Sequence, residues 1–231
     1  MNESIFILKG NIVYSKSQTE FAICEHGYLV CRDGKVDGIY QTLPFRLGGN
    51  PIRDYGDCLI IPGLVDLHIH APQYSYRGLG MDMELLEWLE VNTFPEEAKF
   101  EETDYAEKSY RIFVENLKNS ATTRACIFAT VHRPATLLLM DMLEKSGLDT
   151  YVGKVNMDRN CPDYICEETQ ESADETLEWI KDVNHRKYKN TKPILTPRFT
   201  PSCTDELMEE LKKLQMRYHL PLQSHLSENP G

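Results

Sequence analysis

Val65-Asp66-Leu67-His68-Ile69-His70 sets two histidines one residue apart at the end of an apolar run. In a strand, side chains at i and i+2 leave the same face. His68 and His70 therefore project together, and two converging imidazoles are the beginning of a transition-metal site. A later run, Gln223-Ser224-His225-Leu226-Ser227-Glu228, ends a second apolar segment with a third histidine and, three residues on, a carboxylate. Three nitrogen ligands beside an acid are the parts of a zinc site that activates water, since an open coordination position lowers the water pKa from about 15.7 to about 7. His68, His70 and His225 are the candidate ligands, and Glu228 is the candidate proton shuttle. Each has a plainer reading when taken singly. A lone histidine on an apolar strand is usually a satisfied core residue, and spacing alone leaves Glu228 equally well a surface glutamate. The same-face pairing directly after Pro62-Gly63 favours the metal.

These residues need strands to carry them. From residue 62 onward the pattern alternates strand and helix. Strand-like runs cover about 64–70, 122–130, 150–157, 193–197 and 220–226. Helical periodicity covers Leu85, Leu86, Trp88 and Leu89, then 104–118, 134–147, 170–188 and 205–218, the last with Leu207, Leu211, Leu214 and Tyr218 on one face. Asp104 and Glu107 have capping-box spacing. Five βα steps in series predict a parallel sheet with helices outside it. Both histidine motifs then fall at strand C-terminal ends, where the active sites of βα barrels lie. A complete eight-stranded barrel takes roughly 250 residues. The sequence after the fifth strand, Glu228-Asn229-Pro230-Gly231, adds no helix. The expectation is an α/β chain, a (β/α)8 TIM-like barrel truncated after strand five, over residues 62–231. Residues 1–61 differ: short strand-like runs at 5–8, 11–14, 27–31 and 35–40, separated by Lys9-Gly10 and Arg32-Asp33-Gly34, predict a small β-rich, sandwich-like domain.

Composition narrows the function. A net charge of −11 with acidic residues spread along the 231-residue chain argues against nucleic-acid binding, which needs a basic patch. No run is long enough to span a membrane, and Met1-Asn2-Glu3-Ser4 lacks the basic start of a signal peptide. Seven cysteines (Cys24, Cys31, Cys58, Cys126, Cys161, Cys166 and Cys203) show no CxxC spacing and read as free thiols in a reducing cytoplasm. His132 follows the second strand and carries little weight. Lys154 receives no role, and Trp88, Trp179, Tyr105 and Tyr110 sit at helical spacings that suit core packing.

The segment Pro62-Gly63-Leu64-Val65-Asp66-Leu67-His68-Ile69-His70 resembles the first metal-binding strand of the amidohydrolase superfamily. His70-Ala71-Pro72-Gln73-Tyr74, Leu85-Leu86-Glu87-Trp88-Leu89 and Thr93-Phe94-Pro95-Glu96 resemble the guanine deaminase family within it. So do Val152-Gly153-Lys154-Val155-Asn156-Met157-Asp158, Thr196-Pro197-Arg198-Phe199 and Gln223-Ser224-His225-Leu226-Ser227-Glu228-Asn229. The resemblance implies hydrolytic deamination of guanine to xanthine and ammonia, a step of purine catabolism. It implies one zinc on His68, His70 and His225, with Glu228 moving protons. Gln73, Arg198 and Phe199 would hold the base, with His70 and His225 touching it. Without the resemblance these three read as a loop glutamine, a surface arginine and a core phenylalanine. Strand four carries no lysine, which favours a single metal. The family pattern adds a histidine on strand six and an aspartate on strand eight, beyond Gly231, and its members are commonly homodimers. Two alternatives stay open: a zinc amidohydrolase for another amino-heterocycle, such as a cytosine, a modified adenine nucleoside or a triazine, and a non-catalytic truncated chain.

Overall fold

A computed structural model describes residues 4–228. The Met1–Glu3 start and the Asn229–Gly231 end, both interpreted above, lie outside the described residues. The chain divides into two compact units, Met1–Gly63 and Leu64–Gly231, against an expected boundary after residue 61.

The first unit is one four-stranded sheet built from β1 (Ile5–Ser15), β2 (Phe21–Arg32), β3 (Lys35–Tyr40) and β4 (Ile52–Ile60), in the order β3-β2-β1-β4. Arg32-Asp33-Gly34 turns as expected: Asp33 and Gly34 have φ of 50° and 78°, the left-handed pair of a tight hairpin. Lys9-Gly10 is not a turn. It is a bulge within the continuous β1, where the register with β2 shifts between Gly10 and Ile12. Ile7 and Val30 of this sheet and Leu47, on the helical turn Phe45–Leu47 before β4, form its buried cluster. The described residues of the unit contain one sheet layer, where a sandwich needs two.

The second unit alternates as the periodicity predicts. Its strands are β5 (Leu64–His70), β6 (Thr122–Phe128), β7 (Asp149–Gly153), β8 (Val155–Asn156), β9 (Thr191–Pro193) and β10 (Thr196–Pro197). Its helices are α1 (Leu85–Trp88), α2 (Phe94–Ala98), α3 (Thr103–Lys118), α4 (Arg133–Ser146), α5 (Thr169–Arg186) and α6 (Asp205–Tyr218). Strands pair in parallel in the order β5-β6-β7-β9, and β8 pairs with β10. The apolar stripes of the four long helices seal the core. Tyr110, Phe113, Leu139, Leu143, Trp179 and Leu211 are all essentially inaccessible. Pro134 in the first turn and Gly147 at φ 81° bound α4 as read from the sequence. No described helix is long and apolar enough to cross a membrane.

Three further expectations need correction. Asp104 and Glu107 make no capping box, because α3 starts one residue earlier with Glu102 as an N-cap that accepts no side-chain bond. Both acids sit inside the helix, where Glu107 pairs with Arg111. The strand expected at 220–226 reduces to two isolated parallel bridges, Leu195–Leu222 and Phe199–His225. Pro197 lies between them on the neighbouring segment and has no N–H to give a ladder. Finally, Cys161 and Cys166 are not free thiols. The turn in which Ile165 and Cys166 donate to the Pro162 carbonyl brings their Cα atoms to 5.4 Å, and they are disulfide-bonded.

Gly153 sets the spacing between the third and fourth strand segments. A Cβ there would fall on the carbonyl oxygen of Ile194 and the Thr196 side chain. Gly153→Ala is expected to lower stability by about 1–3 kcal/mol, measured as a lower urea midpoint. An unchanged midpoint would show that the close approach does not constrain the sheet.

Candidate metal centre

β5 ends at His70, and β6, its only described neighbour in the sheet, ends at Phe128. The pairing of these strands is irregular between Asp66 and Ile69, where the Asp66 carboxylate accepts the His68 backbone N–H at 3.1 Å. The kink leaves both histidine rings at the strand end, 5.2 Å apart between centroids. The bridge between Phe199 and His225 brings the third imidazole alongside. One nitrogen from each of His68, His70 and His225 lies within 4.8 Å of the others. His70 Nε2 and His225 Nε2 are 2.9 Å apart. Two nitrogens on one tetrahedral zinc stand about 3.4 Å apart, so the rings are close to ligating distance.

Phe128 underlies the cluster. Its ring stacks on His70 at 4.5 Å and meets His225 at 4.5 Å and His68 at 5.0 Å. Sequence reasoning missed it; its place at a strand C-terminal end was the available signal. His225 is oriented by backbone. The carbonyl of Arg198 can only accept, so the Nδ1 of His225, 2.7 Å away, carries the proton and its Nε2 keeps a lone pair for the shared point. A ligand histidine commonly makes this kind of outer bond. His70 Nδ1 is buried with no hydrogen-bond partner among the described residues. Three imidazoles around one point, one with a fixed tautomer, fit a borderline metal such as zinc.

Burial lowers the His70 pKa well below the ordinary histidine value, and the positive charge of Arg198 adds to this. Burial also lowers His225, opposed by its bond to the Arg198 carbonyl and by the charge of Glu228. Both rings are thus neutral, the form that can ligate a metal.

The other expected residues fall as follows. Arg198 is 2% exposed and gives Nη1 to Glu97 Oε2 at 2.6 Å and Nη2 to Glu97 Oε1 at 3.4 Å. Phe199 is buried, its ring 6.4 Å from that of His225. Gln73 is half-buried on the turn after β5, and its amide makes no hydrogen bond among the described residues. Glu228 is exposed, next to Ser227 at φ 56°. His132 stands apart from the imidazoles and lines an acidic cavity with Glu101, Glu167 and Glu175. Lys154, fully buried, pairs with Glu167 at 2.6 Å.

Residues 59–231 match the amidohydrolase family, and the chain belongs to it. It is 44% identical over 178 residues to the guanine deaminase of Dictyostelium discoideum, covering 77% of this chain and 40% of that protein. It is 46% identical over 171 residues to the guanine deaminase of Mus musculus, covering 73% of this chain and 37% of that protein. The structure of the guanine deaminase from C. acetobutylicum with bound guanine in the active site is similar to it at a TM-score of 0.93 and 49% identity. That match covers 98% of this chain and 54% of the other. The chain thus spans about two-fifths of the length of these curated relatives.

Neutral, half-buried imidazoles make acid costly. The unfolded histidines titrate near pH 6.5 and the folded ones lower, so below about pH 6.5 the unfolded state binds more protons and stability falls as pH falls. Urea midpoints between about pH 7.5 and pH 5 should therefore drop more steeply for the parent chain than for His70→Asn, which has nothing to protonate there. Equal slopes would contradict a His70 held neutral by its surroundings.

Proposed function

We propose that this chain carries the metal-binding and base-binding part of a zinc-dependent guanine deaminase, hydrolysing guanine to xanthine and ammonia. The observation that carries the reading is the convergence of His68 and His70, at the end of β5, with His225 on its bridge to Phe199, and the charge of Arg198 is felt at both His70 and His225. Identity to guanine deaminases along the same stretch supports it.

His68, His70 and His225 would hold one zinc ion. Bound there, zinc supplies a water acidic enough to attack at neutral pH. Arg198 donates to the carbonyl oxygen of the base, and Phe199 presents a ring face to its plane. The Gln73 amide can donate to and accept from the purine edge, and the His70 and His225 rings contact the base at the reacting side. Glu228 takes a proton from the attacking water and passes it to a ring nitrogen, then takes the proton of the newly added hydroxyl and passes it to the amine, which departs as ammonia while that oxygen becomes the carbonyl of xanthine. Its negative charge is felt at His225. The net charge of −11 suits a small, uncharged substrate rather than nucleic acid. A cytoplasmic homodimer is the expected setting.

Ammonia release from guanine, cytosine, an adenine nucleoside and a triazine, each with zinc supplied, tests the reading. Guanine should be preferred, and Glu228→Gln should lower kcat by about 10²–10⁴-fold with little change in KM. Preference for another ring would move the chain to a different amino-heterocycle. No release from any of them would make it a non-catalytic chain.

A further inference from the structure

Glu97 lies on α2, 101 residues from Arg198, and the two meet as a fork-to-fork pair with side chains 1% and 3% exposed. A carboxylate is almost never buried this deeply unless it is paired, and removing one partner leaves the other as an uncompensated buried charge. The Phe94 ring lies 5.3 Å from the guanidinium. Tyr76 and Tyr110 are buried close enough for the Glu97 charge, adding to burial, to push their hydroxyls up. The pair therefore sits in an apolar, aromatic wall beside the imidazoles.

A guanidinium has five N–H donors in one plane. Glu97 takes one from each Nη, which fixes that plane and leaves Nε–H and one N–H on each Nη for other acceptors. Without Glu97 the side chain would be an unpaired buried cation next to a metal centre, free to swing toward solvent. We infer that Glu97 is a positioning residue that holds the Arg198 guanidinium where it can donate to the carbonyl oxygen of the base. The inference rests on Arg198 being a base-binding residue, as proposed above. A carboxylate that merely tied α2 to the fourth strand segment would affect folding but would not distinguish ligands with and without a carbonyl.

Two measurements on the zinc-supplied chain decide this. In 15N spectra the Arg198 side-chain N–H signals, assigned by their loss in Arg198→Lys, should be resolved and slowly rotating in the parent chain and averaged in Glu97→Gln. Binding of guanine should weaken by roughly tenfold or more in Glu97→Gln. Binding of 2-aminopurine, which keeps the ring and amine but lacks the carbonyl, should change less than about twofold. Unchanged Arg198 signals, unchanged guanine affinity, or equal losses for both ligands would each overturn the inference. If the parent chain binds neither ligand, the guanine reading fails, while the Arg198 signals still show whether Glu97 positions that side chain. Should Glu97→Gln not fold, Glu97→Asp keeps the charge on a shorter arm and should lose guanine affinity selectively but less. Full guanine affinity in Glu97→Asp, with averaged Arg198 signals, would overturn the role in carbonyl recognition.

Discussion

The backbone carbonyl of Arg198 accepts from the His225 N–H at 3.1 Å, from the His225 Nδ1–H at 2.7 Å and from the Ser224 hydroxyl at 3.2 Å. This one oxygen docks the last described segment on the sheet, sets the tautomer of the third imidazole and aims its Nε2 at His70. The side chain of the same residue is anchored through Glu97 to α2. Backbone and side chain of Arg198 thus join the metal cluster, the sheet edge and the aromatic wall.

That junction depends on strands that approach closely and then diverge. Gly153 lets the third strand segment come up to Ile194 and Thr196, after which the Lys154 side chain turns into the interior to meet Glu167. Pro197 interrupts the next ladder, so the chain carrying His225 is held by Leu195 and Arg198 rather than by continuous pairing. The Gln223 amide reinforces it with bonds to the Ile127 carbonyl at 3.1 Å and the Thr196 hydroxyl at 2.9 Å. Side-chain bonds replace backbone bonds where proline has removed the donor.

His68 and His70 were legible because strand periodicity alone puts i and i+2 on one face, and His225 because a strand end is where a barrel gathers its reactive groups. The helices were legible from their apolar spacing, which the core at Leu207, Leu211 and Leu214 bears out. The Glu97–Arg198 pair was not, since no local pattern links residues 101 apart. Phe128 offered only its place at a strand end; its contact with three imidazoles depends on parallel pairing across strands. The Cys161–Cys166 bond depends on a turn conformation that the x4 spacing does not encode, and β4 went unread because Arg53, Asp54 and Asp57 break its apolar pattern.

X-ray absorption of the chain titrated with zinc tests the central claim that three imidazoles converge on one ion. One zinc per chain is predicted, with nitrogen or oxygen neighbours at about 2.0–2.1 Å, an imidazole signature, and a weaker imidazole contribution in His225→Ala. Sulfur neighbours at about 2.3 Å, or no tightly held zinc, would contradict it.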